Sequence, residues 1–206
     1  MPASSLREIL PDVFTWPWFS ERHGYDFNGY LFRHASGNVA VDPVEMPDDV
    51  LGELVGSGVA RILITNRNHT RASRRLREAT GARVSIHPAD AAHAVAQGAS
   101  IDGALDVGEL VGPFTVLSAV GKSPGEVALH WAERKLLVVG DACVGKPPGE
   151  CALLPESVMD DAALLRRSLT SLVRTTDFDA LLVGDGAPVL RGGRAALERL
   201  VASFDD

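Results

Sequence analysis

The sequence predicts an α/β protein in which mixed β-sheets are covered by outer helices. Three observations carry that expectation. Short β-rich runs alternate with helical patterns along the 206-residue chain. Between Phe114 and Gly140 three strands are joined by turns too short for crossover helices, so part of the sheet is antiparallel. Hydrophobic residues make up 46% of the chain, enough to bury a sizeable core. No repeat, low-complexity run or linker divides it, so a single domain over 1–206 is expected. A doubly wound parallel sheet is the weaker alternative.

The expected strands are short, rich in aliphatic or β-branched residues, and bounded by Gly, Pro or Asp. Tyr30-Leu31-Phe32 and Val39-Ala40-Val41-Asp42 come first. A helix then starts near Pro47-Asp48-Asp49 and stops at Gly56. Arg61 to Thr65 is the next strand, followed by a helix with Ala72, Leu76 and Ala79 at i, i+4, i+7. Val84-Ser85-Ile86 is a strand; Pro88-Ala89-Asp90 opens a helix that Gly98 ends. Strands over Phe114 to Val120, Glu126 to Trp131 and Lys135 to Gly140 follow. Leu165, Leu169 and Leu172 mark a helix, with Asp160 and Asp161 at its positive N-terminal end. After a strand over Ala180 to Gly184, the stripe Leu197, Leu200, Val201 and Phe204 marks a final helix packed on a sheet.

Composition excludes several classes. The net charge of −7 speaks against a dedicated nucleic-acid binder. Arg61 to Arg83 holds seven arginines against one acid, Glu78, but no interleaved aromatics offer a stacking platform. A solvated helix face is the expectation there, with no nucleic-acid partner. No apolar run approaches the roughly eighteen residues of a membrane span, and none is expected to engage a membrane. Met1 to Glu8 lacks a basic stretch followed by an apolar run, so no signal peptide is expected. Cys143 and Cys151 are the only cysteines; they make no disulfide framework, and a reducing cytoplasm is the simplest assignment. The loop between them is short enough that a bridge stays open. Neither a phosphate-binding loop nor a Gly-x-Ser-x-Gly elbow is present.

The remaining polar residues gather at strand ends. Asn28-Gly29-Tyr30-Leu31 precedes a strand ending in Asp42-Pro43, and Ile62 to Thr65 runs through Asn66-Arg67-Asn68-His69-Thr70-Arg71 into a helix. Gly121-Lys122-Ser123-Pro124-Gly125-Glu126, Val138-Val139-Gly140-Asp141 and Val183-Gly184-Asp185-Gly186 follow. In this order and spacing, over about Asn28 to Pro188, they resemble the metallo-β-lactamase-fold superfamily. The resemblance implies a four-layer αβ/βα sandwich of two mixed sheets, with a one- or two-metal site at one edge. The family's signature is Thr-His-x-His-x-Asp-His, then a His in a Gly-His-Ser/Thr-Pro-Gly turn, a bridging Asp after a Gly, and a last His. Imidazoles and carboxylates hold zinc or iron while leaving a position for water, whose pKa the metal lowers.

Here the pattern departs from the family. Asn66 and Asn68 fall on the first two His positions, Thr70 and Arg71 on the Asp and adjoining His, Lys122 on the turn His and Asp185 on the last. Asp141 alone matches. The resemblance thus implies a member that has lost most of the family's metal ligands. The candidate pocket comprises Asn66, Asn68, His69, Thr70, Arg71, Lys122, Asp141 and Asp185. Its catalytic residues are unassigned. No metal and no cofactor is expected, the Lys122 ammonium standing in the vacated metal position beside Asp141 or Asp185. Zinc or iron on Asp141, Asp185 and His69 is the alternative. Otherwise His69 is a hydrogen-bonding loop residue, and His87 a structural one. The reading leans away from zinc-dependent hydrolysis. Two other classes compete with it: a single-metal hydrolase of an ester, thioester or lactone, and a protein that binds a small anionic molecule. Cytoplasmic residence is expected, and oligomeric state is not legible.

Overall fold

A computed structural model describes residues 5–204. The reading of Met1 to Ser4 as free of a targeting signal lies outside the described residues. Seven strands form one sheet in sequence order: β1 (Arg7–Leu10), β2 (Val13–Ser20), β3 (Tyr25–Phe32), β4 (Asn38–Val41), β5 (Val59–Ile64), β6 (Arg83–Ile86) and β7 (Gly103–Ala104). Its first four strands are antiparallel, and β4 to β7 run parallel. The second sheet holds β8 (Leu110–Val111), β9 (Phe114–Ser118), β10 (Val127–Trp131), β11 (Leu136–Val138) and β12 (Ala180–Leu182), in the order β12-β11-β10-β9-β8. Only β11 and β12 pair in parallel there.

Helices cover the outer faces. α1 (Asp48–Gly56), α2 (Ser73–Thr80) and α3 (Pro88–Ala96) supply Val50, Leu54, Leu76 and Ala94 to a core with Leu31, Ala40, Ile62 and Ile64. The alternate residues Tyr30, Phe32, Val39, Val41 and Leu63 face the second sheet and meet Phe114, Val116, Leu129 and Val138. Strands buried on both faces read as unbroken apolar runs, which is why these were visible in the sequence. On the far side α4 (Ala162–Thr175) and α5 (Gly193–Ala202) bury Leu165, Leu169, Leu172 and Leu197 against Leu137, Val139 and Leu181. Leu200, Val201 and Phe204 are partly buried there. The result is the four-layer helix–sheet–sheet–helix sandwich.

The hairpin of β1 and β2 was not anticipated. Pro17 interrupts its second strand, and a proline normally argues against a central strand. The register resolves the conflict: β1 covers β2 only from Val13 to Thr15, so Pro17 lies on a free edge while pairing with Asn28 on the other side.

Side chains tie the layers. Tyr30 Oη donates to the Val183 carbonyl at 2.7 Å, joining the two sheets. Arg77 of α2 grips Asp102 at 2.7 and 2.9 Å, and the same carboxylate accepts from Val84 N at 3.0 Å. Arg77 and the Val84 amide hold the Asp102 carboxyl well below the usual carboxylate range. A carboxyl depressed by folding adds stability above its unfolded pKa and loses it as pH falls through the folded value. Asp102→Asn should therefore lower the urea midpoint at neutral pH. The gap to wild type should narrow steadily through the acid range, as the wild-type carboxylate takes up its proton.

Candidate functional site

The carboxyl ends of β4, β5, β11 and β12 and the β9–β10 turn meet at one edge of the sandwich, where α/β sheets place their ligands. Asp42 follows β4 with a left-handed φ of 48°, unusual for a residue with a side chain. Its carboxylate is fixed by Thr65, whose N–H donates at 2.8 Å and whose hydroxyl donates at 2.6 Å. His69 Nδ1 lies 2.8 Å from the same carboxylate, and its Nε2 lies 2.9 Å from Asp141 Oδ1. The ring is fully buried. It spans the two sheets, since Asp42 follows the first and Asp141 the second.

Cations surround the acids. Lys122 Nζ stands 3.5 Å from Asp141 Oδ2, with both side chains almost wholly buried. Arg71 donates to Asp185 Oδ1 at 3.1 Å, and its Cζ stands over Phe27, 4.1 Å from the ring centre. Glu126 is fully buried; its Oε1 accepts from Asn66 Nδ2 at 3.2 Å and Asp141 N at 2.9 Å, while Oε2 has no partner among the described residues.

These surroundings set the protonation. Burial presses the His69 imidazole toward neutrality, but Asp141 and Asp42 outweigh it and push its pKa up to about 10. Burial opposes ionisation of Asp141, yet His69, Lys122 and Arg71 hold its carboxyl well below the usual range. Asp185 is raised by burial and by Asp141, against the pull of His69 and Arg71. Glu126 is raised far above its ordinary value by burial and by the Asp141 charge, against the pull of His69 and Lys122.

Asp141 and Asp185 open on a cavity of about 610 Å³. Tyr25 and Phe27 of β3 form one side, Leu153, Leu154 and Val158 an apolar wall, and Lys146 adds a charge. One ligand atom from each of His69, Asp141 and Asp185 lies within 4.8 Å of the other two.

The structure thus brings together most of the residues singled out in the sequence. Asn66 is buried and accepts from Asn68 N at 2.9 Å, whereas Asn68 is exposed on the cavity wall. Thr70 is buried beside them; its carbonyl accepts from Ser73 N at the start of α2. His87 does not join: its Nδ1 caps α3 by accepting from Ala89 N. Asp42, Glu126 and His23, which lines the cavity, were not among the candidate site residues read from the sequence. The signals were faint. Asp42 ends a strand before a proline, and Glu126 is a single acid ahead of an apolar run.

Outside the site, arginines of the Arg61 to Arg83 run pair with acids at the surface. Arg67 meets Asp160 at 2.5 Å, and Arg75 meets Asp48 at 2.6 Å.

A model of the metallo-beta-lactamase superfamily matches residues 4–204, and the chain belongs to that family. No curated protein matches the chain by sequence. Among solved structures, TTHA1623 in a di-iron-bound form is 25% identical, with a TM-score of 0.68 over 89% of this chain and 97% of that one. A metallo-beta-lactamase from Pontibacter korlensis is 13% identical, with a TM-score of 0.80 over the whole of both chains. A beta-lactamase domain protein from Burkholderia ambifaria is 20% identical, with a TM-score of 0.76 over 100% of this chain and 78% of that one.

The expectation of no metal and no cofactor needs correcting. A relative is described with iron bound, and His69, Asp141 and Asp185 form a candidate metal cluster here. The same three residues were the alternative set in the sequence, ranked second because His69 stands one place past a family ligand position. One imidazole nitrogen and two carboxylate oxygens suit a single zinc or iron ion. Arg71 and Lys122 stand beside the same two carboxylates, at 3.1 Å from Asp185 and 3.5 Å from Asp141.

Two substitutions test this arrangement. Lys122→Ala leaves Asp141 without its buried ammonium and should cost about 3 kcal/mol of folding free energy in urea titration. Gly184→Ala places a Cβ against the His69 ring and should cost about 1–3 kcal/mol by overpacking.

Proposed function

We propose that this chain is a hydrolase-type member of its family that has given up the dinuclear centre and uses one metal ion on His69, Asp141 and Asp185. The observation that carries the reading is the convergence of one donor atom from each of those residues to within 4.8 Å, with Asp141 and Asp185 lining the 610 Å³ cavity. The iron-bound relative supports it.

A zinc or iron ion in this place supplies Lewis acidity and a bound water acidic enough to act near neutral pH. The chain's own residues do the rest. Asp42 holds Nδ1 and so presents Nε2, the nitrogen that faces Asp141. A metal held there would take the place of the ring proton. Arg71 orients Asp185, while Lys122 orients Asp141. The substrate class proposed is an ester, thioester or lactone. An apolar body suits Leu153, Leu154 and Val158, and a negative group suits Lys146. A small anionic molecule is accordingly the proposed partner.

Protein purified without chelator or added metal should carry close to one equivalent of zinc or iron per chain by elemental analysis. Asp185→Asn should lose most of it. Hydrolysis of a nitrophenyl ester, a thioester or a lactone should fall about a hundredfold on chelation and return with the metal. A folded protein that takes up neither ion on dialysis overturns the reading.

A further inference from the structure

We propose that Asp90, on the first turn of α3 and apart from the cavity lining, is a positioning residue that sets His69 and Lys122 against Asp141. An acid in a first turn ordinarily serves its own helix. Here the capping falls to His87, whose Nδ1 accepts from Ala89 N at 3.2 Å. The Asp90 side chain is fully buried and turns to two other segments instead. Its Oδ2 accepts from Arg67 N at 2.8 Å and from Ser123 Oγ at 2.5 Å, and its Oδ1 accepts from Gly125 N at 3.0 Å.

Those donors belong to the two loops that build the site. Arg67 lies within the turn that His69 N closes on Asn66 O. Gln97 Nε2, at the far end of α3, donates to the Arg67 carbonyl at 3.0 Å, so the helix grips this loop twice. On the second loop Lys122 directly precedes Ser123, and Glu126 directly follows Gly125. The same carboxylate therefore anchors the turn that brings both residues to Asp141. The approach leaves no slack, since a Cβ on Gly125 would lie 2.8 Å from Asp90 Cγ.

An asparagine in this place has one acceptor oxygen and one NH2 group. Whichever way that amide is turned, its NH2 faces a backbone N–H, of Arg67 or of Gly125. One loop then loses its anchor while the other keeps it, and His69 moves relative to Lys122. The effect on metal rests on the single-ion reading; the effect on His69 rests on the geometry alone.

The test compares the wild-type chain with Asp90→Asn, Ser123→Ala and Asp102→Asn, the last a buried clamp on Arg77 and Val84 N that touches neither loop. Proton NMR of metal-free protein reads the hydrogen-bonded ring N–H signals of His69, identified by their loss in His69→Gln. Zinc alone is then titrated in competition with a chromophoric chelator. Asp90→Asn should shift or broaden the His69 signals and weaken zinc binding about tenfold. Ser123→Ala keeps both backbone donors, so it should show smaller changes of the same kind, and it carries the test should Asp90→Asn fold poorly. Asp102→Asn should lower the urea midpoint and leave both readouts at their wild-type values. Unchanged His69 signals in the folded variants overturn the proposal. Equal changes in Asp102→Asn overturn it too, because they would follow stability alone. A wild-type chain that takes up no zinc defeats the single-ion reading instead, and the His69 signals then decide the role of Asp90.

Discussion

A single buried imidazole joins the two sheets where the chain's chemistry is concentrated. His69 reaches Asp42 with one nitrogen and Asp141 with the other, and each acid terminates a strand of a different sheet. Neither acid is an isolated charge, because Thr65 donates twice to Asp42, and Lys122 stands beside Asp141. Ions buried in this way are costly unless paired and hydrogen-bonded. Here every arm of the bridge is paired, so the loops that deliver it are held in place.

The same bridge explains why the surrounding backbone is so closely fitted. Gly184 lies against the His69 ring and Gly140 against Thr65, positions where a side chain has no room. Asn28 reaches across from β3 to the Val183 and Gly186 carbonyls at 3.1 and 2.8 Å. The edge of the sandwich is therefore braced from both sheets, and the cavity beside it opens on a preorganised floor. Preorganised groups act on a bound molecule without having to rearrange.

Much of the fold was legible because both faces of the central strands are buried. Ile62, Leu63 and Ile64 could be read as a strand without knowing which face met which layer. The hairpin of β1 and β2 was not, since Pro17 and exposed Phe19 obscure its alternation. At the site the sequence order located Asp141, Asp185, Lys122 and Arg71, because each follows a strand in a recognisable spacing. His69 was named in the candidate pocket and as an alternative ligand, but its bridging place depends on a turn, with His69 N bonded to Asn66 O at 3.0 Å. Asp42 and Glu126 owe their importance to partners far along the chain, and no local spacing announces such partners.

The cluster sets three basic side chains, His69, Lys122 and Arg71, against the three acids Asp42, Asp141 and Asp185, with burial and the Asp141 charge raising Glu126 beside them. That parity constrains how the site can change over generations. Exchanging any one member leaves an unmatched charge out of water, and residues sharing one network respond jointly rather than singly. Drift at this edge must then proceed by paired replacements, an acid with a base or a base with an ion. A lineage that passed from a histidine-rich centre to the present one would have crossed that barrier in coupled steps, and the same barrier now discourages return.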